Sequence, residues 1–509
     1  APAWIPGAFA CIQVAASSAS IASISFIIIS LFSISCDDWL DVKPKTQVES
    51  SELLKDEAGY KDALWGVYTL MVQKSMYGLN MTVSLDAMAK IYSRVGTSAT
   101  QYPLSTYSYT STKAKSLIND VWQKTYTTIA NVNNIIGNIR EADPAMFSRD
   151  NYNVIYGEAL GLRAFLHFDL LRLFAPAYAD DPEAQGIPYV DRFDYNITEV
   201  QTVSKTIDLI LKDLEDAAAL LKVADPLCTG RAITTSDDNG YLLDRTFRFN
   251  YYAVVATMAR VYMWKGDKVN AALKAKEVIS DSDCKWTSID DIAIAEEKRD
   301  HTFTPEHIFR LRVEEMEKNI EYVFSITMAW ATGYSFSVMD RDAAIIYPHA
   351  TDWRGWNTRY GWSEDLGLSS SSIYRLPNKF WQYEDMPAEF KNLMPIIRFP
   401  EMKLIVAECN PTTEGAEIIN EIRSHRGITE EFSATSTETQ VLDEILNEYR
   451  REFYGEGLMW YYYKRLNKKS IPYLSYGYSY SMAMDQAKYV WPMPEEEIEF
   501  GNRNKENEL

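Results

Sequence analysis

The sequence predicts a mostly α-helical protein built from about four tetratricopeptide-like helix pairs, with a loop-rich insertion that contains short strands. The first observation is the stretch 249–280, where small and apolar residues recur at helical spacing on both sides of Gly266-Asp267. The second is a similar stretch at 398–427, which is interrupted at Asn410-Pro411. Neither helix of such a pair can bury its apolar stripe alone, so the repetition favours stacked pairs over one ordinary helical hairpin.

Two further candidate pairs lie upstream. One joins a helix at 121–139 to a second helix near Tyr152, and the other joins 155–174 to 203–221 across a long loop at 175–200. The segment 156–175 is apolar nearly all round, which is typical of a central buried helix. We expect its few charged residues to pair inside the protein, namely Arg163, Asp169 and Arg172.

The two ends of the folded region have simpler patterns. Residues 53–73 read as one amphipathic helix, and residues 441–467 as another. The segment Trp491-Pro492-Met493-Pro494 cannot be helical, so we expect an extended stretch followed by an acidic, mobile tail. Between them, residues 282–395 form the insertion, with strand-like runs at 307–313 and 322–328.

The first 35 residues contain no charged side chain, and their most apolar part ends at Cys36. That part is shorter than the roughly 20 residues of a membrane span and suits the apolar region of a signal peptide. Ser33-Ile34-Ser35-Cys36 resembles a lipobox, in which Cys36 is acylated after cleavage, although no Lys or Arg precedes it. The boundaries are therefore 1–35 for a signal peptide or a non-native leader and 36–509 for a single domain. A buried helix or a fused foreign segment remains an alternative for the leader.

Composition and motifs argue against several function classes. The formal net charge of −20 disfavours nucleic acid as a partner. The sequence has no HExxH motif, no Gly-rich phosphate loop and no nucleophile elbow, so we predict no catalytic residue, no cofactor and no metal site. His301 and His307, beside Asp300 and Glu306, could hold a cation, but a solvated loop is the interpretation we favour.

The five cysteines form no disulfide framework. Cys409 lies on an apolar helix face and is predicted to be a buried free thiol. Cys228 and Cys284 could pair, but nothing in the sequence shows that they do.

Six segments in a fixed order resemble a SusD/RagB-type outer-membrane lipoprotein of the Bacteroidetes. They are the Cys36 lipobox, YGEALGLRAFLHFDLLRLFA with GIPYV, FNYYAVVATMARVYMWKGD, RFPEMKLIVAEC…INEIRSHRG, NEYRREFYGEGLMWYYYKR and WPMPEEEI. The resemblance implies a non-enzymatic protein on the outer leaflet of the outer membrane, where it forms the lid of a SusC-like TonB-dependent transporter. It also implies capture of oligosaccharides or, in some members, peptides. Arg450, Glu452 and Glu456 are assigned to the scaffold, where we expect them to pair.

The resemblance places the ligand surface on loops after the first helix and in the insertion, here 77–109 and 330–383. Sugars bind flat aromatic rings and polar side chains together, and the chain is rich in aromatics, with 33 Tyr, 13 Trp and 20 Phe. The densest cluster is 352–362. The alternative is that its tryptophans fill a small core. Our candidate ligand-binding residues are Trp353, Trp356, Trp362, Tyr92, Tyr102, Asp86, Arg94 and Asn357.

A surface glycan-binding lipoprotein is the leading hypothesis, and three others compete with it. The same scaffold could capture peptides, since aromatic residues serve either ligand. A glycoside hydrolase would need two carboxylates flanking the scissile bond, for which Glu364-Asp365 and 495–497 are the available acids. A repeat surface could also bind another protein.

Overall fold

A computed structural model describes residues 52–236, 240–324, 336–355, 360–362 and 374–501, and these residues are mainly helical. The helices are α1 (Glu57–Met71), α2 (Val83–Met88), α3 (Tyr102–Ser105), α4 (Thr112–Glu141), α5 (Asn151–Phe174), α6 (Val203–Lys222), α7 (Pro226–Thr229), α8 (Tyr251–Lys265), α9 (Lys268–Asp281), α10 (Ile289–Ile292), α11 (Met316–Asn319), α12 (Asp340–Ile346), α13 (Phe399–Cys409), α14 (Thr413–Ser424), α15 (Glu438–Glu452), α16 (Leu458–Arg465), α17 (Gln486–Tyr489) and α18 (Glu495–Phe500). The strands are β1 (Arg94–Val95), β2 (Gln185–Pro188), β3 (Val200–Thr202), β4 (His307–Arg312), β5 (Phe336–Met339), β6 (Tyr374–Arg375), β7 (Leu393–Arg398), β8 (Ser470–Ser475) and β9 (Tyr478–Ala483).

The predicted pairs α8–α9 and α13–α14 are confirmed. Asn250 begins α8 by accepting a hydrogen bond from the Ala253 amide, and Gly266 ends it in the left-handed conformation, with φ of 81°. Asp267 then caps α9 by accepting from the Asn270 amide. The short connection between a glycine C-cap and an aspartate N-cap brings the two helices together in antiparallel order.

The upstream pairs differ from the prediction in one respect. The helix expected near Tyr152 and the helix at 155–174 are the same element, α5, which packs against both α4 and α6. No residue between Asn151 and Phe174 interrupts the helix. Gly157 and Gly161 lie within it and do not end it; they allow neighbouring side chains to pack closely against the backbone. A Cβ at Gly157 would lie 2.8 Å from Leu221. The helix pairs are therefore α1–α4, α5–α6, α8–α9 and α13–α14.

The charges on α5 are paired, as expected. Arg163 donates to both oxygens of Asp213, from Nε at 2.6 Å and from Nη2 at 2.8 Å. Arg172 pairs with Asp169 one turn away. Because α5 is buried on all sides, each of these charges would be costly without a partner.

The single helix predicted at 441–467 is wrong, because the chain breaks between α15 and α16. Gly455 and Gly457 both have positive φ, 80° and 77°, and a Cβ at Gly457 would lie 2.9 Å from the Thr82 carbonyl oxygen. The break places Glu456 in a tight turn. This turn brings the start of α16 beside α2.

At the C-terminal end, the extended segment at 491–494 is confirmed, and the Trp491 amide donates to the Leu173 carbonyl at 3.0 Å. After it we expected an acidic, mobile tail. Residues 495–500 are acidic, but the expected mobility is wrong for them because they form the helix α18. Glu495 pairs with Lys115 at 2.5 Å, and Gln123 donates to Glu496 at 2.7 Å. These contacts attach α18 to α4.

Within the insertion, β4 pairs antiparallel with β7, which leads directly into α13. The strand expected at 307–313 is therefore confirmed as β4. The strand expected at 322–328 is wrong in its described part, because Glu321–Phe324 is a 3-10 helix; residues 325–328 lie outside the described residues. The strands β1, β5 and β6 form a second small sheet, in which Arg94 lies opposite Ser337 and Met339 opposite Tyr374.

The loop around His301 and His307 is buried, and the solvated loop that we favoured there is wrong. The His307 ring bonds the Thr302 carbonyl at 2.7 Å, and burial lowers the pKa of His301 to about 4. Asp300 accepts from the Thr304 amide and so supports the turn. Within the described ranges, no group of three or more His, Cys, Asp or Glu residues is arranged to hold a metal ion.

Three cysteines lie in the described part of the chain. Cys228, Cys284 and Cys409 are free thiols, and each is half-buried, so Cys228 and Cys284 do not pair and Cys409 is less buried than expected.

Of the helices in the described part of the chain, none combines the length and apolarity needed to cross a membrane.

Candidate functional site

Two of the predicted platform residues belong to the core. Trp362 is 1% exposed and packs 5.2 Å from Tyr454 and 6.1 Å, edge-on, from Tyr347. Tyr92 lies between Phe324 at 5.7 Å and Phe336 at 5.3 Å. The expectation that these rings form an exposed platform is therefore wrong, since neighbouring aromatic side chains cover them.

Asp86 is also buried and does not reach a ligand surface, which corrects the sequence prediction. Its carboxylate accepts a hydrogen bond from the Gly455 amide in the turn between α15 and α16. Burial raises the pKa of Asp86 to about 8, against the opposing effect of the Gly455 and Gly457 amides. Asp86 thus ties α2 to this turn.

The stretch 352–355 is more a part of the scaffold than of a binding loop. Asp352 and Arg354 are both buried and bonded to each other, from Nη2 to Oδ2 at 2.8 Å. Trp353 is half-buried, and its indole lies directly against the α-carbon of Gly427. Trp356 and Asn357 lie outside the described residues.

Arg354 belongs to a larger buried ionic cluster that joins the insertion to the last helices. Glu452 receives hydrogen bonds from Arg354 at 2.9 Å, Arg398 at 2.6 Å and Arg426 at 2.9 Å. Arg398 also bonds Glu456 at 3.0 Å. Glu452 and Glu456 are thus paired scaffold residues, as expected.

Arg450, which we expected to pair together with Glu452 and Glu456, behaves differently. Arg450 is half-buried at the end of α15, and among the described residues its Nε atom has no hydrogen-bond partner. The predicted pairing is therefore wrong for this atom.

Arg94 and Tyr102 are each half-buried and remain candidates. The Arg94 guanidinium carbon lies 5.7 Å from the centroid of the Tyr374 ring on the neighbouring sheet strand β6. Tyr102 begins α3, and its carbonyl accepts a hydrogen bond from the Ser105 hydroxyl at 2.8 Å. The structure therefore gives Arg94 an aromatic partner that the sequence analysis did not foresee.

A cluster of exposed aromatic residues was missed by the sequence analysis. It is the tyrosine hairpin, formed by Tyr473, Tyr476, Tyr478 and Tyr480 on β8 and β9. Tyr473 and Tyr480 stack at 5.2 Å with an interplanar angle of 21°. Tyr476, Tyr478 and Tyr480 are 59%, 66% and 46% exposed. The signal was present in YLSYGYSYSM, where tyrosines alternate with serines after the turn dipeptide Tyr476-Gly477.

The hairpin turn is held in a defined position. Tyr476 and Gly477 have φ of 54° and 80°, as in a two-residue turn with both central residues left-handed. A tyrosine in this conformation is uncommon and costs energy, which the surrounding contacts must offset. The Gly477 amide donates to Asp342 at 2.7 Å, and the same carboxylate accepts from the Ser93 hydroxyl beside β1.

Asp342 thereby brings the hairpin tip next to the sheet that carries Arg94 and Tyr374. Burial raises the pKa of Tyr374, and the nearby Tyr476 adds to the rise. The tyrosine hairpin, Arg94 and Tyr374 therefore make one aromatic surface with a cation at its edge.

Two family models match the chain. One, described as starch-binding associating with outer membrane, matches residues 38–263, and the SusD family model matches residues 367–507. The chain belongs to the SusD family. The resemblance seen in the sequence motifs is confirmed, and the family consists of nutrient-binding proteins associated with the outer membrane.

Solved structures show the same fold. A SusD superfamily protein from Bacteroides thetaiotaomicron has a TM-score of 0.68 and 22% identity, over 87% of this chain and 98% of that chain. A SusD-like carbohydrate binding protein from Bacteroides vulgatus has a TM-score of 0.66 and 18% identity, over 88% and 96%. A SusD superfamily protein from Bacteroides fragilis has a TM-score of 0.64 and 19% identity, over 89% and 100%. No curated protein matches the chain significantly.

Proposed function

We propose that this SusD-family protein captures oligosaccharides on the tyrosine hairpin and the adjoining Arg94–Tyr374 surface, and delivers them to a SusC-like TonB-dependent transporter. The observation that carries the proposal is the set of exposed tyrosine rings on a hairpin whose tip is bonded to Asp342. A sugar presents an apolar face of C–H groups, which stacks on such rings, and a rim of hydroxyl groups. Arg94, at the edge of this surface, supplies donors for that rim.

Binding without catalysis fits the distribution of carboxylates. The acids 495–497, considered for a hydrolase, lie on α18, where Glu495 and Glu496 contact Lys115 and Gln123 of α4. Glu364-Asp365 lie outside the described residues. A protein that binds and does not convert its ligand needs a partner to receive it. The family's association with the outer membrane supports a transporter in that role.

The anchor that places the protein at the cell surface is a lipid on Cys36, which lies outside the described residues. The domain boundaries that go with it are a leader at 1–35 and a single domain at 36–509.

Co-purification from membranes in mild detergent tests the partnership with the transporter. A TonB-dependent barrel should remain bound to the protein, whereas isolation of the protein alone with the barrel expressed would contradict the partnership.

The binding surface is tested with alanine variants of the hairpin, Tyr478→Ala and Tyr480→Ala. Stacking contributes about 0.5–1.5 kcal/mol beyond the area covered. We therefore expect each variant to bind neutral oligosaccharides about tenfold more weakly in calorimetric titration. Malto-oligosaccharides are the first probe because the family model is described as starch-binding. The melting temperature should hardly change, because both rings are exposed.

Trp362→Ala is the matched control, because its ring is core and its removal should cost roughly 3–5 kcal/mol of stability. Trp353→Ala, Trp356→Ala and Tyr102→Ala test the three remaining aromatic candidates. If both hairpin variants bind normally, the surface lies elsewhere. If the protein retains peptides and no glycan from a mixed panel, the peptide hypothesis replaces this one.

A further inference from the structure

A second recess lies away from the tyrosine hairpin, on a different set of elements. This α1 cleft has a volume of about 840 Å³ and runs between α1, the segment 240–248 and the end of β4. Its walls are largely apolar and aromatic, formed by Trp65, Tyr68, Val72, Tyr241, Leu243 and Phe247. Ligand sites are commonly about 300–1,000 Å³, so the recess has room for several sugar units.

The distinctive group in the α1 cleft is Arg248. Its side chain is only 4% exposed, and its guanidinium carbon lies 4.1 Å from the Trp65 ring centroid and 4.9 Å from that of Tyr241. In the described part of the chain, Nη1 of Arg248 is buried and has no hydrogen-bond partner. A buried guanidinium held only by aromatic faces leaves its planar edge for another group.

Four acids line the cleft, namely Glu57, Asp62, Asp244 and Glu314, and two of them have cations of their own. Glu57 pairs with Lys61 at 2.6 Å, and Asp244 pairs with Arg310 at 2.7 Å. Among the described residues, none of these carboxylates forms an ion pair with Arg248. A buried charge without a partner is costly, and an incoming anion would remove that cost.

Trp65 defines the shape of the ligand. Its ring is 56% exposed although one face carries the Arg248 guanidinium. A ligand that satisfies both residues carries a carboxylate on a body with a flat C–H face. A uronic acid unit of a saccharide has this combination, because its carboxylate is fixed to the pyranose ring that stacks.

We propose that the α1 cleft is a second carbohydrate site, selective for acidic saccharides, in which Arg248 bonds a uronic acid carboxylate and Trp65 stacks on its ring. The inference rests on the proposed function only in taking the ligand to be a saccharide, since the tyrosine hairpin contributes no residue to this cleft.

The experiment uses the full chain with three probes: trigalacturonic acid, its neutral methyl ester and the peptide tri-L-glutamate. Calorimetric titration should show the acid binding at least tenfold more tightly than its ester, because a charge-assisted bond to a buried guanidinium is lost on esterification. Arg248→Gln should abolish that preference, whereas Trp65→Ala should weaken the binding of acid and ester alike, because both probes stack through the same ring. Because Trp65 is exposed, Trp65→Ala should fold normally and keeps the test informative if Arg248→Gln does not fold. A thermal melt accompanies each variant.

Two controls separate this site from the proposed one. Arg192→Gln removes an arginine whose side chain is 63% exposed, and it should leave the preference intact. Tyr478→Ala should weaken the binding of neutral oligosaccharides at the tyrosine hairpin. It should leave unchanged the preference of the α1 cleft for the acid over its ester. Equal binding of acid and ester, a preference that survives Arg248→Gln, or unchanged affinity in Trp65→Ala overturns the inference. Equally tight binding of tri-L-glutamate, lost in the same variants, overturns the assignment to a saccharide.

Discussion

Arg426 and Glu452 form a two-bond ion pair in the interior, with Nη2 to Oε1 at 2.9 Å and Nε to Oε2 at 3.0 Å. Neither side chain is more than 1% exposed. Glu452 ends α15, Arg426 follows α14, and Arg354 and Arg398 bond the same carboxylate. Burial acts to raise the pKa of Glu452, but the three guanidinium groups outweigh it and hold the pKa well below its usual range.

We expect Glu452→Gln to destabilise the protein by roughly 3–5 kcal/mol, because three buried arginines lose their shared countercharge. Urea unfolding measures the change. Glu414→Gln is the matched control, since Glu414 pairs with Lys276 at 2.7 Å with both side chains exposed. It should cost less than about 1 kcal/mol. Similar losses in the two variants would contradict a structural role for the ionic cluster.

Asp86 should make stability fall with rising pH. Its folded pKa of about 8 lies above the ordinary value of 3.8, so the folded state holds a proton that the unfolded state releases. Between about pH 4 and 8 the folded state binds more protons, and this group's contribution falls by roughly 1 kcal/mol per pH unit.

Asp86→Asn keeps an acceptor for the Gly455 amide and removes the titration. Relative to the native protein, the variant should gain stability progressively from pH 5 to pH 8, as measured by urea unfolding at several pH values. Parallel curves for the two proteins would show that Asp86 does not titrate in this range.

Two glycines in helical regions should respond oppositely to alanine. Gly266 has φ of 81° with no atom close to the position of a Cβ, so Gly266→Ala should cost about 1–2 kcal/mol through backbone strain alone. Gly137 lies within α4 with the same open space but without positive φ, so Gly137→Ala should stabilise by roughly 0.5–1 kcal/mol. Thermal unfolding of both variants checks the signs, and a stabilised Gly266→Ala would refute the capping role of Gly266.

Removal of the lipid site tests the anchor. Cys36→Ala should move the protein from the membrane fraction to the soluble fraction, with an unchanged melting curve, because the acylated thiol is lost. Cys409→Ala removes a half-buried free thiol of α13 and should leave the protein with the membrane. Retention of Cys36→Ala in the membrane fraction would show that another feature holds the protein there.

The tertiary structure placed three of the eight candidate ligand residues, Trp362, Tyr92 and Asp86, in the interior. Trp362 and Tyr478 are both aromatic residues in segments without helical periodicity, yet the first is 1% exposed and the second 66% exposed. Their exposure depends on what the fold packs against them, namely Tyr347 and Tyr454 around Trp362. Nothing within a few positions of either residue encodes that difference. The alternation of tyrosines and serines in β9, by contrast, is a local pattern that the sequence displays.

The sequence by itself determined the helix pairs α8–α9 and α13–α14. Helical spacing, Gly266 at a C-cap and Asp267 at an N-cap are local signals, because a helix hydrogen-bonds residues four positions apart. Only the tertiary structure decided which charges meet and which rings stay exposed. Glu452 finds Arg354, Arg398 and Arg426 on distant segments of the chain, and Asp342 ties the tyrosine hairpin to β1. Such contacts form only when separate elements pack together, so no local pattern specifies them.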